Sequence, residues 1–317
     1  MNVALVLHEL AYNSFFHGEV WGENIDALGI QSAFKDMFPS NICQLYTSNI
    51  LMHLKTEGLL DQLKIDLAIH FYWPTVLIEG AKNVLFFQQF YDDGSIFQEA
   101  SKHFGMFDLV MTNAAKITDE NPEILYFPLA VDVKEFEQAS VNQVKSEAVF
   151  IGNTKMRSDD VYKRFLLPAT ALDLHIYGKG WGDEKYRNYL PYYKGIIPIN
   201  EMPAVYKSTK LILCIHNEDY INKYGLVTNR IFHALAAGKM LISDHHPKLM
   251  ELFSEGEGVV YTRGYDHLRE TMEYLLQNDH DREKIAMQGR IKLLKEHTWK
   301  HRIEMLLAKL AEKKDGL

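Results

Sequence analysis

The stretch YGLVTNRIFHALAAGKMLISD, residues 224–244, decides how this chain can fold, because a helix and a buried strand follow each other within it. Ile231, Leu235 and the alanines between them form one apolar helical face. Gly238 comes after that face, where helices often end with a positive φ. The apolar run 240–243 then predicts a strand, and a helix leading at once into a buried strand is typical of parallel sheets.

The start of this helix is a candidate anion site. Thr228 is the predicted N-cap, whose hydroxyl would accept a hydrogen bond from an amide of the first turn. Asn229 and Arg230 would then lie beside unpaired backbone N–H groups at the positive end of the helix dipole, where a guanidinium suits a diphosphate. An arginine at a helix start is more often solvated or ion-paired, so this segment needs support from the rest of the chain.

Apolar strands alternate with helical stretches along the whole chain, which is the pattern of βαβ units. The predicted strands cover residues 3–7, 42–46, 66–71, 84–87, 109–112, 124–127, 148–151, 174–177, 211–215, 240–243 and 259–261. The predicted fold class is therefore α/β, with two Rossmann-like, doubly wound parallel-sheet domains that face a cleft.

A polar stretch separates the two series of strands. Residues 132–147 are poor in large apolar side chains and predict a linker. The domains are accordingly predicted at residues 1–140 and 141–298. A last helix over 299–317 is expected to cross back to the first domain, although its leucines among lysines would also suit a membrane surface.

The composition is that of a globular protein with a full core. Of 317 residues, 47% are hydrophobic and 24% charged, and the net charge of −8 weighs mildly against a nucleic-acid partner. Cys43 and Cys214 each lie in an apolar run and are predicted to be reduced core residues. No apolar run approaches the roughly 18 residues of a membrane span. We therefore expect a cytoplasmic protein without integral membrane segments, which could associate with the inner membrane face.

Ligands of doubly wound sheets bind beyond the carboxyl ends of the strands, and this rule singles out five loops of the second domain, at residues 152–157, 178–183, 216–228, 244–248 and 262–265. The candidate donor-binding residues in them are Gly152, Lys155, Arg157, Gly178, Lys179, Gly180, Asn217 and Tyr224. Glycines let a backbone approach a ligand closely, although a tight turn explains them nearly as well. Lys155 or Arg157 could reach a phosphate, although solvation explains each of them taken singly.

Candidate general bases lie in the first domain. The segment FQQFYDD, residues 87–93, offers amides, aromatic rings and carboxylates, which are groups that bind polyhydroxylated ligands. Asp92 and Asp93 are the first candidates, since a carboxylate in a cleft can act as a general base. His8 and Glu19, which follow the first strand, are the second. A lone histidine or aspartate is more often structural, so all four stay open.

The run Asp244, His245 and His246 superficially resembles a set of metal ligands. Neighbouring histidines point in different directions, and no third ligand is spaced to help. The favoured interpretation is a strand-end loop that leads into a helix at Pro247. No metal site is predicted.

Several motifs, in order, resemble one family. They are FIGN (150–153), IYGKGW (176–181), YYKGIIP (192–198), LILCIHNE (211–218) and TNRIFHALAAGKMLISD (228–244). Together they resemble the second domain of the CgeB-like, group 1-type glycosyltransferases with a GT-B fold. The resemblance covers about residues 124–302, and FPLAVDVKEF (127–136) resembles the segment between the domains of these enzymes.

The resemblance implies a metal-independent transferase that needs no cofactor. It would move a sugar from a nucleoside-diphosphate sugar, a UDP-sugar or a GDP-sugar, to an acceptor hydroxyl. The second domain would hold the donor and the first the acceptor. Asn229 and Arg230 would contact the diphosphate or the ribose. Gly178 and Gly180 would flank the base, and the loop at Asn217 would face the sugar.

The sequence departs from this family at two positions. Related retaining enzymes often carry one glutamate just before the A-x-A-x-G helix end and another eight residues earlier. His233 and Gly225 stand there in this chain. His233 could hydrogen-bond the ribose or a phosphate, or it could pack as a core histidine under the helix. The departure leaves the stereochemical outcome and the donor sugar open.

Two other functions fit the same fold. The chain could be a nucleotide-sugar epimerase or hydrolase, or a non-catalytic module that binds a sugar nucleotide. For a transferase, the acceptor could be a glycan, a lipid-linked glycan, a protein, a small metabolite or DNA.

Overall fold

The computed structural model describes residues 1–14, 22–73, 75–88, 95–140, 145–154 and 157–315. The chain divides into two compact units. The first contains Met1–Asp132 and Trp299–Leu317, and the second contains Val133–Thr298.

The first unit is built on a parallel sheet of six strands. They are β1 (Val3–Leu7), β2 (Cys43–Thr47), β3 (Leu67–His70), β4 (Lys82–Phe87), β5 (Leu109–Thr112) and β6 (Leu125–Tyr126). Their order across the sheet is β2-β1-β3-β4-β5-β6. Every residue of β1 is buried, as expected for a strand with both faces covered.

The second unit is built on a parallel sheet of five strands. They are β7 (Ser146–Ile151), β8 (Leu174–Tyr177), β9 (Thr209–Cys214), β10 (Leu241–Asp244) and β11 (Val259–Thr262), in the order β11-β10-β9-β7-β8. All eleven predicted strands are present, with ends that differ by at most two residues. The predicted α/β class is confirmed.

Helices connect the strands of both sheets. They are α1 (Glu9–Ser14), α2 (Gly22–Met37), α3 (Ser48–Thr56), α4 (Ser95–Ser101), α5 (Ala115–Glu120), α6 (Val133–Gln138), α7 (Asp159–Phe165), α8 (Met202–Lys207), α9 (Asn229–Ala236), α10 (Pro247–Leu252), α11 (Tyr265–Gln277), α12 (Asp279–Glu296) and α13 (Trp299–Asp315). The stretch predicted as a linker contains α6, whose Phe136 is buried in the second unit. Part of that polar stretch is therefore packed structure.

The last helix, α13, belongs to the first unit and packs against α2, as predicted. A Cβ added to Gly29 of α2 would lie 2.2 Å from Nε1 of Trp299, so only a glycine lets the indole approach this closely. The guanidinium of Arg302 is buried and donates to the carbonyl of Pro128 at 2.9 Å. None of the described helices is long and apolar enough to cross a membrane.

Candidate functional site

The strand order of the second unit creates a switch point between β7 and β9. The chain passes from β7 to β8 on one side and then returns to β9 on the other side of β7. The loops that leave β7 and β9 therefore run in opposite directions. Ligands of open α/β sheets bind at this switch point, beyond the carboxyl ends of the two strands.

Two arginine side chains meet at this switch point. The guanidinium of Arg230 donates to the carbonyl of Ile151 at 3.0 Å and to that of Ile215 at 3.3 Å. Arg157 donates through Nε to the same Ile215 carbonyl at 2.7 Å. Both guanidinium carbons also lie over the ring of Phe150, 5.3 Å and 5.7 Å from its centroid. The ends of β7 and β9 are thus bridged by two adjacent cations.

The guanidiniums of Arg157 and Arg230 are two like charges close to each other. In the described part of the chain, no carboxylate forms an ion pair with either guanidinium. Burial, and then the charge of Arg230, lower the pKa of Arg157 to about 10. Arg157 remains charged at neutral pH, so the site carries two positive charges that a bound diphosphate would compensate.

The start of α9 differs in one respect from the prediction. Thr228 has the extended backbone of an N-cap, but its side chain makes no capping hydrogen bond. Its hydroxyl lies 3.8 Å from the sulfur of Cys214 at the end of β9. The predicted hydroxyl cap is therefore wrong, because the side chain turns toward β9. Asn229 and Arg230 do form the first turn of the helix, as predicted.

The glycines predicted to approach a ligand are required by the packing of two loops on each other. Gly178 has a φ of 137°, and a Cβ on it would lie 2.3 Å from the carbonyl oxygen of Gly152. Gly180 has a φ of 89°, and its Cβ would lie 2.0 Å from the hydroxyl oxygen of Thr154. Trp181 donates to the carbonyl of Gly152 at 2.7 Å. Contact with the loop after β7 thus accounts for both glycines.

Gly152 has a separate role at the arginine site. A Cβ on it would lie 2.9 Å from Nη1 of Arg230 and 2.9 Å from the ring of Phe150. The missing side chain therefore leaves room for the guanidinium at the end of β7.

The remaining candidate donor-binding residues differ in how exposed they are. Lys179 is exposed, and its backbone N–H donates to the Oδ1 atom of Asn153 at 2.8 Å. Asn217 is buried, and its Oδ1 accepts from the backbone of Asp219 at 2.8 Å, which shapes the turn after β9. Tyr224 is also buried. Lys155 lies outside the described residues.

Among the candidate bases, His8 lies at the switch point of the first sheet. It follows β1, Tyr72 follows β3, and these strands are neighbours. The two rings meet edge to face with centroids 4.4 Å apart, and His8 Nδ1 accepts from the backbone N–H of Leu10 at 3.1 Å. Asp92, Asp93 and Glu19 lie outside the described residues.

A groove of about 530 Å³ opens beside Tyr72 in the first unit. It is lined by Tyr72, Trp73, Ser95, Ile96, Glu99 and His103. The indole of Trp73 packs against the ring of Phe87, with centroids 5.3 Å apart, and this contact restricts the orientation of the indole. Aromatic faces with a carboxylate and an imidazole at the rim are suited to a polyhydroxylated ligand.

Comparison with protein-family models gives a match over the second half of the chain. Residues 157–308 match the family model described as glycosyl transferase-like. Residues 157–308, just under half of the chain, are similar to glycosyl transferase-like proteins, and the chain has the GT-B fold. The predicted resemblance to glycosyltransferases of this fold is confirmed. The matched segment begins at Arg157 and includes Arg230, so both site arginines lie within it.

Solved structures with this GT-B fold cover nearly the whole chain. An alpha-glucosyltransferase in complex with UDP-glucose and DNA containing an abasic site has a TM-score of 0.67 at 11% identity, over 98% of this chain and 99% of its own. Anabaena HepE in complex with UDP-glucose has a TM-score of 0.60 at 11% identity, over 100% of both chains. T4 phage BGT with its UDP-glucose substrate has a TM-score of 0.57 at 13% identity, over 100% of this chain and 98% of its own. No curated protein matches the sequence.

The two positions that depart from the glutamates of retaining GT-B enzymes have different surroundings. Gly225 adopts a positive φ of 60° where the loop turns before α9. His233 is buried and stacks on Phe136, with ring centroids 5.5 Å apart. Burial, and then the charge of Arg230, lower the pKa of His233 to about 3, so it is neutral. This position favours the core interpretation of His233 over ligand contact.

Sequence reasoning missed a buried His–Asp pair in this GT-B protein. His216, just after β9, donates through Nδ1 to Asp244 Oδ1 at 2.6 Å, and its backbone N–H donates to Asp244 Oδ2 at 2.9 Å. Burial alone would lower the pKa of His216, but the charges and hydrogen bonds of Cys214 and Asp244 raise it to about 9. A histidine and an aspartate at the carboxyl ends of neighbouring strands could have been paired once the strand order was assumed.

Proposed function

We propose that the chain is a glycosyltransferase that uses a UDP-sugar and holds the donor's diphosphate between Arg157 and Arg230. The observation that carries this proposal is the pair of guanidiniums at the β7–β9 switch point, neither of which has a carboxylate partner among the described residues. Two like charges brought together are costly unless a ligand compensates them. A guanidinium pair suits the several oxygens of a diphosphate.

The choice of a UDP-sugar is supported by the neighbours of this fold. HepE, T4 phage BGT and the alpha-glucosyltransferase are each described in complex with UDP-glucose. We therefore propose a UDP-hexose as the donor rather than a GDP-sugar, although the sequence alone did not distinguish the two. The start of α9, with Thr228 and Asn229, would lie beside the same ligand.

The chemistry follows from the positions of the charges. When the bond between the sugar and the diphosphate breaks, negative charge grows on the leaving phosphate oxygens. Arg157 and Arg230 would stabilise that charge in the transition state more than in the ground state, which is what lowers the barrier. The sugar would pass through an oxocarbenium-like state, as in glycoside cleavage.

We propose that the acceptor binds to the first unit. A base must remove the proton of the acceptor hydroxyl, and Asp92, Asp93, His8 and Glu19 are the candidates. Among them, His8 lies at the β1–β3 switch point beside Tyr72. The aromatic groove next to it offers a surface for the acceptor.

Arg230→Ala tests the donor site. A hydrogen bond to a charged group contributes about 1.5 to 3 kcal/mol, so UDP should bind roughly ten- to a hundredfold more weakly. Titration calorimetry with UDP measures this, and Arg187→Ala is the matched control, because Arg187 is an exposed arginine paired with Glu184. Equal UDP affinity of the wild type and Arg230→Ala, with both folded, would remove the basis of the proposal.

Product analysis with a UDP-hexose then separates transfer from the alternatives. A transferase forms a glycoside only when an acceptor is present. Release of free sugar without an acceptor would indicate a hydrolase, and a changed donor sugar would indicate an epimerase. Binding without any turnover would indicate a non-catalytic module.

A further inference from the structure

The carbonyl that binds both site arginines is part of a peptide group that Asp244 also holds. Ile215 supplies the C=O that accepts from Arg157 and Arg230, and His216 supplies the N–H that donates to Asp244 Oδ2 at 2.9 Å. This C=O and N–H belong to one planar peptide unit, which moves as a rigid plate. A hydrogen bond that fixes the His216 N–H therefore also fixes the direction of the Ile215 C=O.

The ring of His216 locks the carboxylate in turn. Its Nδ1 donates to Asp244 Oδ1 at 2.6 Å, so the two carboxylate oxygens bind the ring and the backbone of a single residue. The side chains are 0% and 7% exposed, which leaves no water to compete for these bonds. The pair therefore orients the peptide between residues 215 and 216 from inside the protein.

The far end of the same loop is anchored beside this pair. His246 Nε2 donates to the carbonyl of Leu226, two residues before the N-cap of α9, at 2.9 Å. Its Nδ1 accepts from the N–H of Leu249 at 3.3 Å, so both ring nitrogens are used. The rings of His246 and His216 meet edge to face with centroids 4.7 Å apart. Both ends of the β9–α9 loop are thus attached to residues at the end of β10.

We propose that Asp244 and His216 are positioning residues for the donor's diphosphate: they fix the Ile215 carbonyl, and through it the two guanidiniums that bind the phosphates. The inference rests on the proposed function. Neither side chain touches the ligand, since both are buried. The charged and titratable groups around His216 are Asp244, His246, the Cys214 thiol at 3.9 Å, and Arg230, whose charge acts on Cys214.

The test compares Asp244→Ala with Asp244→Asn by calorimetry with UDP. Alanine leaves the His216 N–H without its acceptor, so UDP should bind at least tenfold more weakly. Asparagine keeps an oxygen that accepts from the same N–H, so its affinity should stay within about threefold of wild type. Asp173→Asn is the matched control, because Asp173 pairs with His175 on the exposed side of β8, away from the arginines. Its UDP affinity should equal that of wild type.

A purely structural role predicts a different pattern. Thermal unfolding would show a less stable Asp244→Ala, but the folded fraction would bind UDP within twofold of wild type, and that result overturns the inference. If Asp244→Ala does not fold, His216→Ala carries the test with the same expected tenfold loss. Failure of the wild type itself to bind UDP would refute the proposed function. If Arg230→Ala weakened UDP binding but the Asp244 and His216 variants did not, only the positioning role would be refuted.

Discussion

Replacing Arg157 by methionine should weaken UDP binding without lowering the free energy of unfolding of the ligand-free protein. Methionine keeps an unbranched side chain near the ring of Phe150 but removes one of the two like charges at the switch point. The donor nitrogens of Arg157 and Arg230 share the Ile215 oxygen at 2.7 and 3.3 Å, so they lie within about 6 Å of each other. At that distance two unit charges repel by roughly 3 kcal/mol at an effective dielectric constant of about 20, and by less where water reaches them.

Relief of this repulsion offsets the hydrogen bonds that Arg157 loses, each of which contributes about 0.5 to 1.5 kcal/mol. The free energy of unfolding of ligand-free Arg157→Met should therefore stay within about 1 kcal/mol of wild type, or rise. UDP affinity should fall roughly ten- to a hundredfold, because a charged contact to the diphosphate is lost.

Urea unfolding with and without UDP measures both effects. At a UDP concentration a hundred times the wild-type Kd, the ligand should stabilise the wild type by about 2.7 kcal/mol, and a variant that binds a hundredfold more weakly by only about 0.4 kcal/mol. Arg164→Met is the control, because Arg164 pairs with Asp160 at 2.7 Å and Glu218 at 3.3 Å. If Arg157→Met lost several kcal/mol of stability and kept the full UDP effect, Arg157 would be a structural residue and the site assignment wrong.

Two further substitutions test the surroundings of the site. Gly180→Ala should destabilise the protein by about 2 to 4 kcal/mol, because the residue has a positive φ and its Cβ would meet the Thr154 hydroxyl. Thermal unfolding measures this loss. Gly182→Ala is the control, because the space around Gly182 is open. His233→Phe should leave UDP affinity unchanged and weaken acid destabilisation. The pKa of His233 is lowered from 6.5 to about 3, so the unfolded chain binds the extra proton and wild-type stability falls as pH drops below about 6.5. An unchanged pH dependence of unfolding in His233→Phe would contradict this assignment.

The sequence alone was sufficient for the strands and for the helix at residue 229. Buried parallel strands are short runs of apolar residues, so their positions could be read from local composition. The predicted role of the Thr228 hydroxyl failed because a threonine side chain can cap its own helix or turn to a neighbouring strand. Local sequence does not distinguish these, and here the hydroxyl lies beside Cys214.

The glycines show the same limit in another form. Gly178 and Gly180 were correctly placed in a loop after a strand, where a glycine permits close approach. What approaches them is the loop after β7, with the Gly152 carbonyl and the Thr154 hydroxyl in contact range. The sequence indicates that space is needed, but the neighbouring chain decides what fills it.

By itself, the sequence determined the α/β class, the order of the elements and the arginine in the first turn of α9. Only the tertiary structure decided that Arg157 and Arg230 share one carbonyl, and that Asp244 holds the same peptide through His216. These contacts join residues that lie far apart along the chain, at the ends of β7, β9 and β10. Strand order brings them together, and it is set by how helices and strands bury their apolar faces as a whole, so no local pattern of residues encodes it.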